Sequence, residues 1–487
     1  MIPILFKLRE TIRIEERDAV SLIISETPLN VILASRRAAR ILRLCDGERT
    51  IGQIAREAGI ADEEPVYQTC DYFNKKAVLD TVILKNPGYY PTVTVIIPTR
   101  DRDSGIAECL ASVFAQEYPA GLIDVIVIDD GSRDDTQKAV RRFPCRLLVN
   151  PESRGQSCCR NLGAEQANGE VLALLDDDCV AGSSWLKDLV PYLQWEKAGA
   201  VGGYVDGYAD RSMLDRYEKT YSLLNLGKYI QIGRGGLSMF YVPTCSLLVR
   251  KEAFVATGGI RETLHVGEDV DFCWRMRDAG WYALYVPSGT VKHKHRNRLG
   301  SLLRRRAYYG ISEAVLSALH PKRRKTMQMR PLTAVAFLGL CAAAAFLTPL
   351  PFIVTAACFV ADTTVKTLRL RAKSVGIPFR KVVSSAWRTY VSAFYLITFH
   401  LVRYYFVLLL LLGFILHSAW LLAWAMMAFT ASMSYAARRP RVPFVPFFFC
   451  YVLDQISYQI GVFAGCLRAK SFRTYRLVCR FGRDHVH

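Results

Sequence analysis

Val171-Leu172-Ala173-Leu174-Leu175-Asp176-Asp177-Asp178 is an apolar run ending in three carboxylates. It follows by about 50 residues a second run of the same design, Val125-Ile126-Val127-Ile128-Asp129-Asp130-Gly131-Ser132. Short continuous apolar runs bounded by turn residues read as strands buried on both faces, the kind that parallel sheets use. Two such strands deliver carboxylates to one sheet edge, and the crevice outside the carboxyl ends of the strands is where open α/β sheets take their ligands. Carboxylates gathered there repel one another and any phosphate unless a cation lies between them. The pair therefore points to a metal-dependent enzyme acting on a nucleotide diphosphate compound.

Working outward, strands and helices alternate: Val93 to Pro98 strand, Gly105 to Gln116 helix, Ile123 to Asp129 strand, Asp134 to Arg142 helix, Arg146 to Asn150 strand, Gln156 to Ala167 helix, Val171 to Asp176 strand. Pairs of this length predict right-handed crossovers and a parallel sheet covered on both faces, an α/β nucleotide-binding layer. Before it, residues 1–88 read as a small module: alternating Ile12, Ile14, Val20, Leu22 and Ile24, then helical spacing in Ser35 to Cys45, Thr50 to Glu57 and Glu64 to Lys76, then a strand from Ala77 to Lys85. This is the pattern of a winged-helix-like binding domain, joined through the turn residues Asn86 to Pro91. The central domain is expected over 89–320 and a hydrophobic helical, membrane-associated region over 321–487.

In that last region Pro331 to Ala361 suits one span or a hairpin broken at Pro349-Leu350-Pro351. Tyr404 to Ser434 suits one span or two short ones broken near His417-Ser418, and Phe444 to Leu467 is a weaker candidate. Basic groups flank every segment, which favours hairpins, re-entrant segments or in-plane helices over single crossings. The net charge of +19 is biased toward residues after Lys292, including Arg304, Arg305, Arg306, Arg323 and Arg330. Beside an apolar segment such a cluster fits anionic lipid headgroups better than nucleic acid, so membrane lipid is an expected partner and nucleic acid is not. The fourteen cysteines show no CxxC pair or metal-ligand spacing and read as small buried side chains in a reducing compartment. The amino terminus lacks a signal-peptide pattern, which places the soluble part on the cytoplasmic side of a cell membrane.

Five motifs then stand in order: TVIIPTRDR (Thr94 to Arg102), VIDDGSRDDT (Val127 to Thr136), RGQSCCRNLGAEQANGE (Arg154 to Glu170), LLDDDC (Leu174 to Cys179) and HVGEDVDFCWRMRDAGW (His265 to Trp281). Together they resemble the family 2 glycosyltransferases, which implies a GT-A, Rossmann-like core. The stretch LNVILASRRAARILRLCDGERTIGQIAREAGI (Leu29 to Ile60) resembles PqqD-like peptide-recognition domains. The combination with a hydrophobic tail is most similar to the mycofactocin-system members of the family.

The resemblance implies the following roles. Pro98, Thr99, Arg100 and Asp130 form a base pocket, with Asp129 as runner-up; DDGS alone would be an Asx turn with a helix cap. Asp176 lies near the ribose and Asp178 reaches a hard cation, Mg²⁺ or Mn²⁺, with strand alternation aiming both the same way. Asp177 replaces either partner if the strand ends one residue early. Arg160 sits near the nucleotide on the donor-pocket helix, where Gly163 allows close packing. Asp269 is the base that takes the acceptor proton, with Glu268 orienting it; Asp271 points elsewhere. His293 or His295 adds a metal or diphosphate contact, and Gln231 to Gly236 is either a lid or a turn.

The implied activity is inverting transfer of a hexose, glucose from UDP-glucose, to a small peptide-derived redox cofactor precursor of the mycofactocin type, with a short oligosaccharide as one outcome. Alternatives are transfer to a lipid-linked or cell-envelope glycan, or a noncatalytic peptide-binding membrane scaffold. The Q-x-x-R-W motif of processive synthases is absent from the sequence.

Overall fold

The computed structural model describes residues 4–17, 20–26, 29–83, 88–233, 239–295, 298–346, 348–372 and 375–481. The chain divides into two compact units. Residues 1–84, 325–434 and 477–487 form the first, and residues 85–324 with 435–476 the second.

In the first unit β1 (Ile4–Leu8) pairs antiparallel with β5 (Leu79–Ile83). Between them β2 (Ile12–Glu16), β3 (Ser21–Glu26) and β4 (Leu29–Ala34) form an antiparallel sheet. Three helices follow β4: α1 (Arg36–Leu44), α2 (Ile51–Ala58) and α3 (Glu63–Lys75). Each starts on a side-chain cap that satisfies an otherwise unpaired backbone N–H: Ser35, Thr50 in a capping box with Gln53, and Asp62. The expected strand, helix and strand order is present; residues 84–87, the end of the expected last strand and the start of the linker, lie outside the described residues.

The second unit begins with the anticipated alternation: β6 (Val93–Thr99), α4 (Ile106–Phe114), β7 (Ile123–Asp129), α5 (Thr136–Val140), β8 (Arg146–Val149), α6 (Gln156–Glu165) and β9 (Val171–Leu175). Then come β10 (Cys179–Ala181), α7 (Trp185–Leu189), β11 (Ala198–Gly202), β12 (Val205–Gly207), α8 (Met213–Tyr221), β13 (Gln231–Gly233) and β14 (Ser246–Arg250). The core closes with α9 (Lys251–Ala256), α10 (Glu268–Asp278), β15 (Tyr282–Tyr285), β16 (Val291–His293) and α11 (Leu299–Leu319).

The main sheet has the order β13-β15-β11-β14-β9-β6-β7-β8. Its β9-β6-β7-β8 half is parallel, but β14 runs antiparallel to both β9 and β11, and β13 antiparallel to β15. The parallel sheet expected from the alternation between Val93 and Asp176 is present in that half, and the strands that follow make the sheet as a whole mixed. Parallel neighbours need a long crossover, usually a helix, and the regular alternation that supplies it stops after β9. Ile96, Ile126, Ile128, Leu172 and Leu174 pack with Cys159 and Ala164 of α6 and with Phe272 and Met276 of α10. A Cβ on Gly163 would lie 2.6 Å from Ile96 Cγ2 and 2.9 Å from Ile128 Cδ1, so α6 approaches the sheet as closely as only glycine permits.

The apolar region folds as helices: α12 (Pro331–Phe346), α13 (Leu350–Ala372), α14 (Phe379–Leu412), α15 (His417–Arg438) and α16 (Phe444–Arg468). α12 and α13 pack on each other and break at the expected Pro349 region. α14 starts 25 residues before the expected Tyr404, because Arg380, Lys381 and Arg388 interrupt the apolar run without interrupting the helix. Among the described residues, three helices are long and apolar enough to cross a membrane: α13, α14 and α16.

More than half of the apolar stretch of α16 is buried, and this helix belongs to the second unit. A Cβ on Gly461 would lie 2.0 Å from the Ala307 carbonyl of α11, and one on Gly310 would lie 2.2 Å from the Tyr458 carbonyl, so the two backbones touch. Buried Arg306 of α11 pairs with Asp454 of α16 at 2.8 Å and with Glu218 of α8, while Tyr217 donates to Asp454 at 3.1 Å. Arg323 is likewise buried, paired with Asp278 and stacked on Trp274. These two arginines are structural, which corrects their assignment to lipid headgroups: each has a carboxylate partner distant in sequence.

Candidate active site

β9 ends at Leu175, one residue earlier than expected, so Asp176, Asp177 and Asp178 all lie in the turn before β10. Strand alternation therefore does not govern them, and they face three different partners. Asp176 accepts from Arg160 at 2.5 Å. Asp177 accepts from the Thr99 hydroxyl at the end of β6 at 2.8 Å; burial and the neighbouring Asp178 charge push its pKa up to about 6. Asp178 lies 3.4 Å from Nε2 of His293. Arg102 braces the turn, with Nε 3.5 Å from Asp177 and Nη2 3.4 Å from Asp178.

Arg160 joins this turn to the expected catalytic helix. Its guanidinium is fully buried, with Nη2 on Asp176 and Nη1 on Oε1 of Glu268 at 3.1 Å. Burial opposes its charge, but the two carboxylates hold its pKa well above the usual value. Arg160 is thus placed between two acidic elements rather than open to a nucleotide, and Gln156 completes the link by donating to Glu268 at 2.9 Å.

Gly267, with φ of +81°, starts α10 in the left-handed region, and three acidic residues fill the first turn of the helix, where its dipole favours them. Asp269 is half-buried; desolvation first, then repulsion from Glu268, raise its pKa to about 7. Asp271 faces away into a cage of Arg261, Arg275 and His320. Burial would raise its pKa, but His320 and Arg275 hold it at about 2.

At the carboxyl ends of β7 and β8 a cleft of about 500 Å³ is lined by Arg100, Gly131, Ser132, Gln137, Asn150 and Ser153 among others. Asp130 shapes this cleft. It accepts from Asn150 Nδ2 (3.1 Å), Ser153 Oγ (2.7 Å) and the backbone N–H of Arg154 (2.8 Å) and Gly155 (2.9 Å). Burial would raise its pKa, but these four bonds hold it at about 2. Asp129 accepts from Gln137 at 2.7 Å and from Ser132. Pro98 and Thr99 are buried strand residues, and the Arg100 side chain is exposed.

His293 Nδ1 lies 3.2 Å from Nδ1 of His295. Burial first, then the charges of His293 and Arg306, push His295 down to about 3, so His295 is a neutral ring behind His293. A carboxylate and an imidazole converging from Asp178 and His293, with two further aspartates in the same turn, suit a divalent cation such as Mn²⁺.

The sequence reading missed Arg102, which stands inside a quoted motif, and Arg305 of α11. Arg305 is half-buried; burial opposes its charge, while Tyr309 first, then Glu268 and Asp176, raise its pKa. Its only signal was membership in the basic cluster. Of the Gln231 to Gly236 segment, residues 234–236 lie outside the described residues.

Residues 94–256 match the glycosyl transferase family 2 model. The pre-mycofactocin glycosyltransferase of Mycobacterium tuberculosis is 33% identical over 235 residues, covering 47% of this chain and 48% of its own. The chain thus spans about half the length of this relative. Glycosyltransferase AglE of Haloferax volcanii is 30% identical over 227 residues, covering 45% of this chain and 72% of its own. Glucosyl-dolichyl phosphate glucuronosyltransferase of the same organism is 26% identical over 253 residues, covering 47% and 78%.

Proposed function

The chain belongs to glycosyl transferase family 2, and we propose that its GT-A-like core transfers a hexose, glucose from UDP-glucose, to a hydroxyl of a mycofactocin-type peptide-derived precursor with inversion at the anomeric carbon. The observation that carries this reading is the continuous link from Asp176 through Arg160 to Glu268 beside Asp269. It ties a carboxylate turn suited to a nucleotide diphosphate to the helix start that carries Asp269, the proposed base.

Asp269 is suited to that task. With a pKa near 7 it is partly deprotonated at neutral pH and basic enough to take a hydroxyl proton as the oxygen attacks. The Glu268 carboxylate, held by Arg160 and Gln156, repels negative charge on Asp269 and so helps raise its pKa. The cleft beside Asp130 is suited to a base and ribose, with Arg100 at its edge. Asp178 and His293 would hold Mg²⁺ or Mn²⁺, with Asp176 and Asp177 alongside, and the bound ion would supply charge neutralisation for the departing diphosphate. Arg102 and Arg305 flank this region and add positive charge near the same group.

The mycobacterial relative supports the acceptor class, and the strand and helix order of residues 4–83 fits a PqqD-like module. The dolichyl phosphate relative and the three long apolar helices favour a second reading, transfer to a lipid-linked glycan at a membrane. The two readings separate when the purified full-length protein is given a panel of nucleotide sugars, Mn²⁺, and either a tyrosine-valine-derived acceptor or a polyprenyl phosphate. Mass spectrometry should show hexose added to the first; hexose on the lipid alone would reject the narrower acceptor.

A further inference from the structure

We propose that Cys179 turns the candidate metal site into a mixed carboxylate, thiol and imidazole site that also takes a soft divalent cation, Zn²⁺ or Cd²⁺, in competition with the hard one. The inference rests on the placement of the metal at Asp178 and His293 under the proposed function and extends it to the choice of ion.

β10 and β16 pair antiparallel, with Cys179 directly opposite His293. Residues opposite each other in such a pair project to the same face of the sheet, so thiol and imidazole converge. The Cys179 sulfur lies 3.9 Å from Oδ1 of Asp178, and that oxygen lies 3.4 Å from His293 Nε2. The three donor atoms all fall within 4.8 Å of one another. Cys179 is wholly buried, whereas the side chains of Asp178 and His293 are 20% and 18% exposed, so an ion enters past those two and meets the sulfur last.

A tetrahedral zinc site with ligand bonds of about 2.0–2.3 Å has donor atoms roughly 3.3–3.8 Å apart, which small side-chain rotations reach from this arrangement. Mg²⁺ and Mn²⁺ prefer oxygen and nitrogen and gain little from sulfur. Zn²⁺ and Cd²⁺ bind thiolate strongly, and their entry releases the thiol proton to solvent. Two protein ligands are then shared by both kinds of ion, and the third discriminates between them.

The test titrates purified full-length protein with Cd²⁺ while following ultraviolet sulfur-to-cadmium charge transfer. Mn²⁺ binding is measured in parallel by electron paramagnetic resonance, on wild type and on Cys179→Ser, Cys179→Ala and His293→Ala. The expected result is a thiolate signal in wild type that both Cys179 variants lose, with at least a tenfold weaker Cd²⁺ affinity, while Mn²⁺ binding changes less than twofold. His293→Ala should weaken both ions, and added Cd²⁺ should displace Mn²⁺ from wild type. A thiolate signal unchanged in both Cys179 variants would overturn the proposal. Failure of wild type to bind Mn²⁺, with the Cys179 signal intact, would instead remove the hard-metal reading and leave the soft site standing.

Discussion

Replacing Arg160 with Met removes the positive charge that hydrogen-bonds the carboxylate turn to α10. The side chain is fully buried, and its two partners sit 2.5 and 3.1 Å away on Asp176 and Glu268. Breaking a buried ionic network by deleting one partner costs about 3–5 kcal/mol, because a charge is left without compensation. Glu268 is the residue left most exposed to that cost: it is 5% accessible and would keep the Gln156 amide as a hydrogen-bond donor, with the Arg305 charge nearby. At about 2–4 °C per kcal/mol for a unit of this size, Arg160→Met should melt roughly 10 °C below wild type. Neutralising the stranded acid should recover part of the loss, so Arg160→Met combined with Glu268→Gln should show a coupling of about 1–3 kcal/mol in a double-mutant cycle. The assay is thermal unfolding of the purified full-length protein, wild type and the three variants side by side. Additive effects, within about 0.5 kcal/mol, would refute the claim that Arg160 and Glu268 act as one buried unit.

Asp269→Asn should lower transfer by about 10²–10⁴-fold. In wild type the rate should fall as pH drops through about 7, where Asp269 becomes protonated; a rate independent of pH between 6 and 8 would remove Asp269 as base. The same raised pKa favours the folded state while Asp269 carries its proton. That contribution is complete below the unfolded value of about 4 and is lost as pH rises through about 7, so Asp269→Asn should melt above wild type at pH 8. Asp130 has the opposite sign: its stabilisation is present above about pH 4 and lost as pH falls through about 2. Asp130→Asn should destabilise by about 2–3 kcal/mol at neutral pH, read from unfolding, and should weaken binding of a fluorescent nucleotide. Gly461→Val drives a side chain into the Ala307 backbone and should separate α16 from α11, seen as faster proteolysis after Arg468 together with a lowered melting point.

The sequence disclosed the β6 to β9 half of the sheet almost residue by residue, because each strand there is a continuous buried run closed by turn residues. It did not disclose that β14 enters antiparallel, since Ser246 to Arg250 carries the composition of a buried strand in either direction. The candidate residues were legible as a set, but not their division of labour. Ending β9 at Leu175 instead of Asp176 is a shift of one residue, yet it sends the three aspartates to Arg160, Thr99 and His293. The same limit hid the structural arginines. Arg306 looks like its exposed neighbour Arg304 in the sequence, and only the fold brings Glu218 and Asp454 to it across 88 and 148 residues. Arg160 reads in the sequence as a nucleotide contact, and its buried ion pairs stay hidden, for the same reason: its partners lie in the turn after β9 and at the start of α10, in two other motifs.

The most direct test of the account is the anomeric configuration and yield of the first product formed from UDP-glucose and the peptide-derived acceptor in the presence of Mn²⁺, read by nuclear magnetic resonance for wild type and Asp269→Asn. The expected product is a β-linked glucose from the α-linked donor with wild type, formed at least a hundredfold more slowly by Asp269→Asn. An α-linked product, or undiminished transfer by Asp269→Asn, would contradict it.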